Sequence, residues 1–179
     1  MANAAIFSAL LLSVTATLLL TGSTACSDTP SMSAAEACRK ATTGRFHQIC
    51  IDVLGTSPEK REVATYVIAA ARAALLTYEP IKEAAGKLVS DPSTLPYMKS
   101  AGQNCVDRCV KAEAAVTGVI HRLRGCLLVN IRGDCTAAAA DIDDCATAVH
   151  LVGRDTEFYR QILFSRDRSV LTLRLATLL

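Results

Sequence analysis

The chain has 179 residues, of which 51% are hydrophobic, only 4% are aromatic, none is Trp and eight are Cys; 19 Lys and Arg stand against 17 Asp and Glu. A charge that balanced excludes an electrostatic nucleic-acid binder, and an apolar fraction that high excludes a disordered chain. Eight Cys in this length point to an oxidising compartment or a metal site.

Residues Met1 to Leu20 carry no charged side chain, and Ala4 to Leu20 is nearly continuous apolar sequence. Ser23 and Ala25 then place small residues at −3 and −1 of a cut before Cys26. This pattern predicts a secretory signal peptide over residues 1–25 and a mature helical domain over 26–179. A run of this length sits at the short limit for a membrane span, and no basic flank follows it, so no membrane contact is expected of the mature form. Export makes the Cys read as disulfides rather than metal ligands.

Ser27 to Ser33 is polar and reads as a lead-in. Ala34 to Lys40 reads as a helix, with Ser33 as N-cap and Glu36 at the capping-box position. Thr42-Thr43-Gly44 breaks it, and Phe46 to Leu54 resumes the helical period. Ser57 and Pro58 suggest the N-cap and first position of a third helix. That helix has the cleanest period in the chain: Val63, Tyr66, Val67, Ala70, Ala71, Ala74, Leu75, Tyr78, Ile81, Ala85 and Leu88 share one face. Pro80 lies inside it and predicts a kink near Tyr78.

A fourth helix is expected from about Ser100 to Arg124, with Cys105, Cys109, Ala112, Val116, Val119, Ile120 and Leu123 inward. A fifth runs over Thr136 to Val152, with Ala138, Ile142, Cys145 and Val149 inward. The last covers Phe158 to Leu179. No segment alternates with period two over a strand length. The predicted class is all-α: a short N-terminal helical hairpin followed by an up-down four-helix bundle, braced by disulfides.

Cys38 and Cys50 flank the Thr42–Gly44 break and can staple the hairpin. Cys105 and Cys145 come level in an antiparallel helix pair, where a bridge closing 40 residues contributes on the order of 4 kcal/mol in the chain-entropy model. Cys126 and Cys135 bracket the loop between those helices and could close it, while Cys26 and Cys109 could be free or pair with each other. Eight Cys allow 105 connectivities, so the residues alone leave the pairing open.

These features resemble the plant invertase and pectin methylesterase inhibitor family over essentially all of the mature chain. The likeness rests on the leader, the Cys pair in the first hairpin and the Ala37-Cys38-Arg39-Lys40-Ala41-Thr42 opening. It rests also on the Phe46–Leu54 segment, the spacing of Cys105 and Cys145, the Thr136-Ala137-Ala138 stretch in place of the family's Ser-Ala-Ala, and the leucine-rich last helix. The resemblance implies a hairpin on a four-helix bundle, with bridges Cys38–Cys50 and Cys105–Cys145. It also implies a secreted apoplastic protein of the cell wall that binds and reversibly blocks one enzyme. Two positions depart from the family. Cys109 stands where the family usually has Tyr, and Cys126-Leu127-Leu128-Val129-Asn130 replaces the Pro-Lys-Phe loop of invertase inhibitors. Pectin methylesterase is therefore the first target implied, and acid invertase, cell-wall or vacuolar, the alternative.

No catalytic constellation is found. His47, His121 and His150 lie in different segments without zinc-type spacing, and Asp141, Asp143 and Asp144 read as a solvated helix stripe. The expectation is a binding protein that is not an enzyme and uses no metal or cofactor. Lys99, Gln103, Arg108, Lys111, Thr117, Asp134, Thr136 and Asp141 project away from the core periodicity and are the candidate target-binding residues. A secreted lipid-binding helical protein is the other class weighed; the Cys-Cys and C-x-C of plant lipid-transfer proteins are missing from this sequence.

Overall fold

The computed structural model describes Cys26 and residues 29–179; the predicted leader, 1–25, lies outside the described residues. Within them the chain forms six helices and one minute ribbon: β1 (Ser31–Ser33), α1 (Ala34–Ala41), α2 (Arg45–Leu54), β2 (Lys60–Glu62), α3 (Val63–Ser90), α4 (Pro96–Arg124), α5 (Ile131–Gly153) and α6 (Glu157–Ala176). The fold is all-α and disulfide-braced.

Local chemistry sets most boundaries. The Ser33 hydroxyl accepts from the Glu36 backbone N–H at 3.2 Å and starts α1. The Glu36 carboxylate does not reach back to complete the box; it pairs instead with Lys40, which holds its carboxyl below the usual range. Gly44, at φ +57, opens α2 after the break. Thr156 caps α6 by accepting from the Tyr159 N–H.

Two expectations need correction. The long third helix begins at Val63 rather than at Pro58, and Ser57 caps only a turn, accepting from the Glu59 N–H at 3.3 Å. The intervening Lys60–Glu62 pairs antiparallel with Ser31–Ser33, in register Ser31 to Glu62 and Ser33 to Lys60. The Tyr66 hydroxyl donates to the Met32 carbonyl at 2.8 Å, and the Val63 N–H to that of Pro30 at 2.9 Å. Tertiary pairing thus takes three residues from the front of the helix. Three-residue polar strands carry no period to read.

The four long helices pack in a closed cycle, α3 on α4, α4 on α5, α5 on α6 and α6 back on α3. α3 continues through Pro80, whose ring is exposed to solvent. The predicted inward residues of α4 and α5 are buried, as are those of α3 apart from Leu75 and Leu88, which are half-buried. The interior divides into two clusters. One gathers Val63, Val67, Leu123, Ile131, Leu171 and Leu175 beneath α1 and α2. The other gathers Tyr78, Ile81, Val116, Ile142, Val149 and Ile162 toward the opposite end. Small side chains let helices approach closely: a Cβ on Gly102 of α4 would stand 3.0 Å from the Ala85 carbonyl of α3.

Three disulfides tie the helices. Cys38–Cys50 joins α1 to α2, and Cys105–Cys145 joins α4 to α5. The third corrects the sequence reading: Cys126 bonds to Cys26 across 100 residues, not to Cys135. Cys135 and Cys109 remain as free, buried thiols. Cys135 lies on the inner face of α5, turned into the core and away from the loop that Cys126 occupies. Three such bridges fit an oxidising, extracellular-type environment.

Candidate target-binding surface

The eight candidate residues fall on α4 and α5, and the structure divides them. Arg108 bonds to Asp141 at 2.9 Å and to Asp144 at 3.1 Å, so it bridges the two helices beside the Cys105–Cys145 bond. The Asp141 hydrogen bond, then the Asp144 charge, raises the Arg108 pKa further. Asp134 pairs with Arg122 across the same seam. These three residues therefore bind the helices to each other. Thr136 lies exposed and donates to the Arg132 carbonyl at 2.9 Å. Gln103 is exposed and donates to Asp107 at 2.9 Å; Lys111 is exposed, and Lys99 and Thr117 are half-buried. Val110, half open to solvent between Gln103 and Lys111 on α4, adds an apolar contact to this polar face.

Sequence periodicity misses a second feature. Between α3 and α6 lies an open groove of about 440 Å³, lined by Leu76, Pro80, Arg160, Gln161 and Phe164 among others. Leu76 is 79% exposed and Phe164 54%, and the Arg168 guanidinium covers the Phe164 ring at 4.7 Å from its centroid. Pro80 lacks an N–H, so the Leu76 carbonyl has no helical donor there. The only sequence signal of this groove is Pro80 itself, four residues after an exposed leucine.

Beneath that groove runs a chain of hydroxyls. Thr77 donates to the Ala74 carbonyl at 2.6 Å and lies 2.7 Å from the Ser165 hydroxyl. Ser169 donates to the Ser165 carbonyl at 3.0 Å and lies 2.8 Å from the Tyr78 hydroxyl. Each hydroxyl has one proton, so Ser165 donates to Thr77 and Tyr78 donates to Ser169. Burial pushes the Tyr78 phenol up to about 12 despite the Ser169 bond. It likewise pushes the Cys109 and Cys135 thiols up to about 12, far from the thiolate that a nucleophile or metal ligand requires.

Among the described residues no group of three or more His, Cys, Asp and Glu could hold a metal ion. His150 is exposed, with its Nδ1 3.1 Å from the Tyr159 hydroxyl. No helix of the described residues is long and apolar enough to cross a membrane. Compared with protein-family models, with curated proteins and with solved structures, the chain matches none.

Proposed function

We propose that the protein is a secreted inhibitor that binds a plant cell-wall pectin methylesterase and covers its active-site cleft, with acid invertase as the alternative target. In this reading the four long helices form an up-down bundle capped by the α1–α2 hairpin, and the protein performs no catalysis and uses no cofactor. The observation that carries the reading is the pair of bridges, Cys38–Cys50 within the hairpin and Cys105–Cys145 between consecutive long helices. These are the two that the family resemblance implies.

An inhibitor of this kind works as a rigid surface. The Cys105–Cys145 bond and the Arg108 bridge fix α4 against α5, so little conformational freedom is left to lose on binding. Gln103, Lys111 and Thr136 then present polar groups, and Val110 an apolar one, on this preorganised face. A lipid carrier is less well supported: the apolar pocket between Leu88, Met98, Val149 and Phe158 holds about 70 Å³, well below the roughly 300–1,000 Å³ of ligand pockets, and the roomier groove of about 440 Å³ between α3 and α6 lies open on the surface with Glu157, Arg160 and Gln161 in its lining.

The test incubates purified protein with a pectin methylesterase and, separately, with an acid invertase over the acidic to neutral range of the apoplast. Saturable inhibition of the esterase is expected, weakening as rim carboxylates protonate. Lys111→Glu, at an exposed position, should weaken inhibition about tenfold without changing the helical circular-dichroism spectrum. Inhibition of neither enzyme at any pH would refute the proposal, and inhibition of the invertase alone would select the alternative.

A further inference from the structure

Cys26 is 6% exposed and is held from three directions. Its sulfur is bonded to Cys126. Its carbonyl accepts from both the N–H and the hydroxyl of Thr29, at 2.9 and 3.0 Å. Its nitrogen donates to the Glu62 carboxylate at 2.9 Å, in a partly buried setting. Glu62 ends β2 and stands at the N-cap of α3, so this one carboxylate joins Cys26 to the start of that helix.

A secondary amide offers that carboxylate a single neutral N–H. A terminal ammonium at the same atom would offer three donors and a full positive charge, and charge-assisted bonds are roughly twice as strong as neutral ones. The residues before this nitrogen, Ser23 and Ala25, carry the small side chains of a leader cut. A cut on the other side of Cys26 would discard the half-cystine and the Cys26–Cys126 bridge with it.

We infer that cleavage of the predicted Ala25–Cys26 bond turns the neutral amide bond to Glu62 into a lock, the new Cys26 ammonium holding the Glu62 carboxylate by a charge-assisted hydrogen bond at the same place. Water supplies the oxygen to the Ala25 carbonyl, and the C–N bond breaks. Ala25 departs with a carboxylate, and Cys26 retains its nitrogen as an ammonium. The lock then joins three places at one residue: the terminus, the start of α3 through Glu62, and the α4–α5 loop through Cys126. This inference rests on the reading that the chain is exported; it is independent of which enzyme, if any, the chain inhibits.

The test has two arms. The full chain is expressed in a eukaryotic secretory host, and the exported protein is examined by intact mass and terminal sequencing. Cys26 as first residue, in a chain with two titratable thiols after unfolding, is expected; any other first residue, or retention in the cell, overturns the inference. In the second arm, chains beginning at Cys26 and at Ala25 are prepared by tag removal, each with and without Glu62→Gln, and unfolded in urea. Glu62→Gln should lower the folding equilibrium constant about tenfold more when Cys26 is the terminus than when Ala25 precedes it. Equal losses in the two backgrounds would overturn the lock. Neither arm measures inhibition, so a failure of the inhibitor reading leaves both readouts intact.

Discussion

Tyr78 and Ser169 provide a sharp test of how α3 and α6 are held together. Tyr78 is fully buried and its hydroxyl donates to Ser169, whose own proton goes to the Ser165 carbonyl. The two halves of this bond are therefore unequal. Tyr78→Phe removes a donor and leaves Ser169 still making its other bond, without opening a cavity; the net loss is about 1 kcal/mol. Ser169→Ala strands a phenol proton in the core, and an orphaned buried donor costs about 2 kcal/mol. For a domain of this size that corresponds to a fall in Tm of roughly 2–4 °C for Tyr78→Phe and roughly 4–8 °C for Ser169→Ala. Carrying Tyr78→Phe into the Ser169→Ala background removes the stranded proton, so the double variant should be more stable than Ser169→Ala alone. Urea titrations of the four proteins, followed by circular dichroism, measure this directly. Tyr78→Phe costing as much as Ser169→Ala, or strictly additive losses, would refute the assigned direction of the bond.

The free thiols Cys109 and Cys135 are buried and pushed up to about 12, so a thiol reagent at neutral pH should label neither in the native protein and two per chain in denaturant; rapid native labelling would contradict their placement. The same two thiols and the Tyr78 phenol, with ordinary values of 9.0 and 10.0, stay protonated in the folded state after the unfolded chain has released its protons. Their contribution is thus complete below about pH 9 and is lost as pH rises toward about 12, and urea midpoints should fall through that window. Removing the Cys26–Cys126 bridge, which closes 100 residues, should cost about 2 kcal/mol more than removing Cys38–Cys50, which closes 12; the reverse order in urea would refute a loop-entropy account.

The helical part of this fold was legible because the inward residues recur at helical spacing. Val63 to Ala85 on α3 and Cys105 to Leu123 on α4 are buried where the period places them. The ribbon was not, because Lys60–Glu62 has no alternation and gains its partner only when residues 31–33 fold back onto it. The Cys26–Cys126 bond was hidden for the same reason: spacing along the chain favoured Cys126 with nearby Cys135, whereas the helix phase turns Cys135 inward. At the surface, periodicity separates outward from inward but not free from engaged. Arg108, Asp134 and Asp141 look like Lys111 in sequence, yet they face ions on the neighbouring helix. Ser165, Ser169 and Thr172 err in the other direction, being polar residues that lie fully within the core.

The distribution of the three bridges has a consequence for how the molecule opens. Two of them meet the cluster beneath the hairpin, where Cys38, Cys50 and the Cys126 loop lie. The opposite end is reached only by Cys105–Cys145, several turns short of the Asp91–Leu95 and Arg154–Thr156 connections. There the ends of four helices close over Leu88, Met98, Val152 and Phe158 with no covalent tie beyond. Fluctuation should therefore run as a zipper from that end, stopping at the Cys105–Cys145 bond. Amide exchange and protease nicking should begin near Tyr97 and Leu151, and the hairpin end should release last.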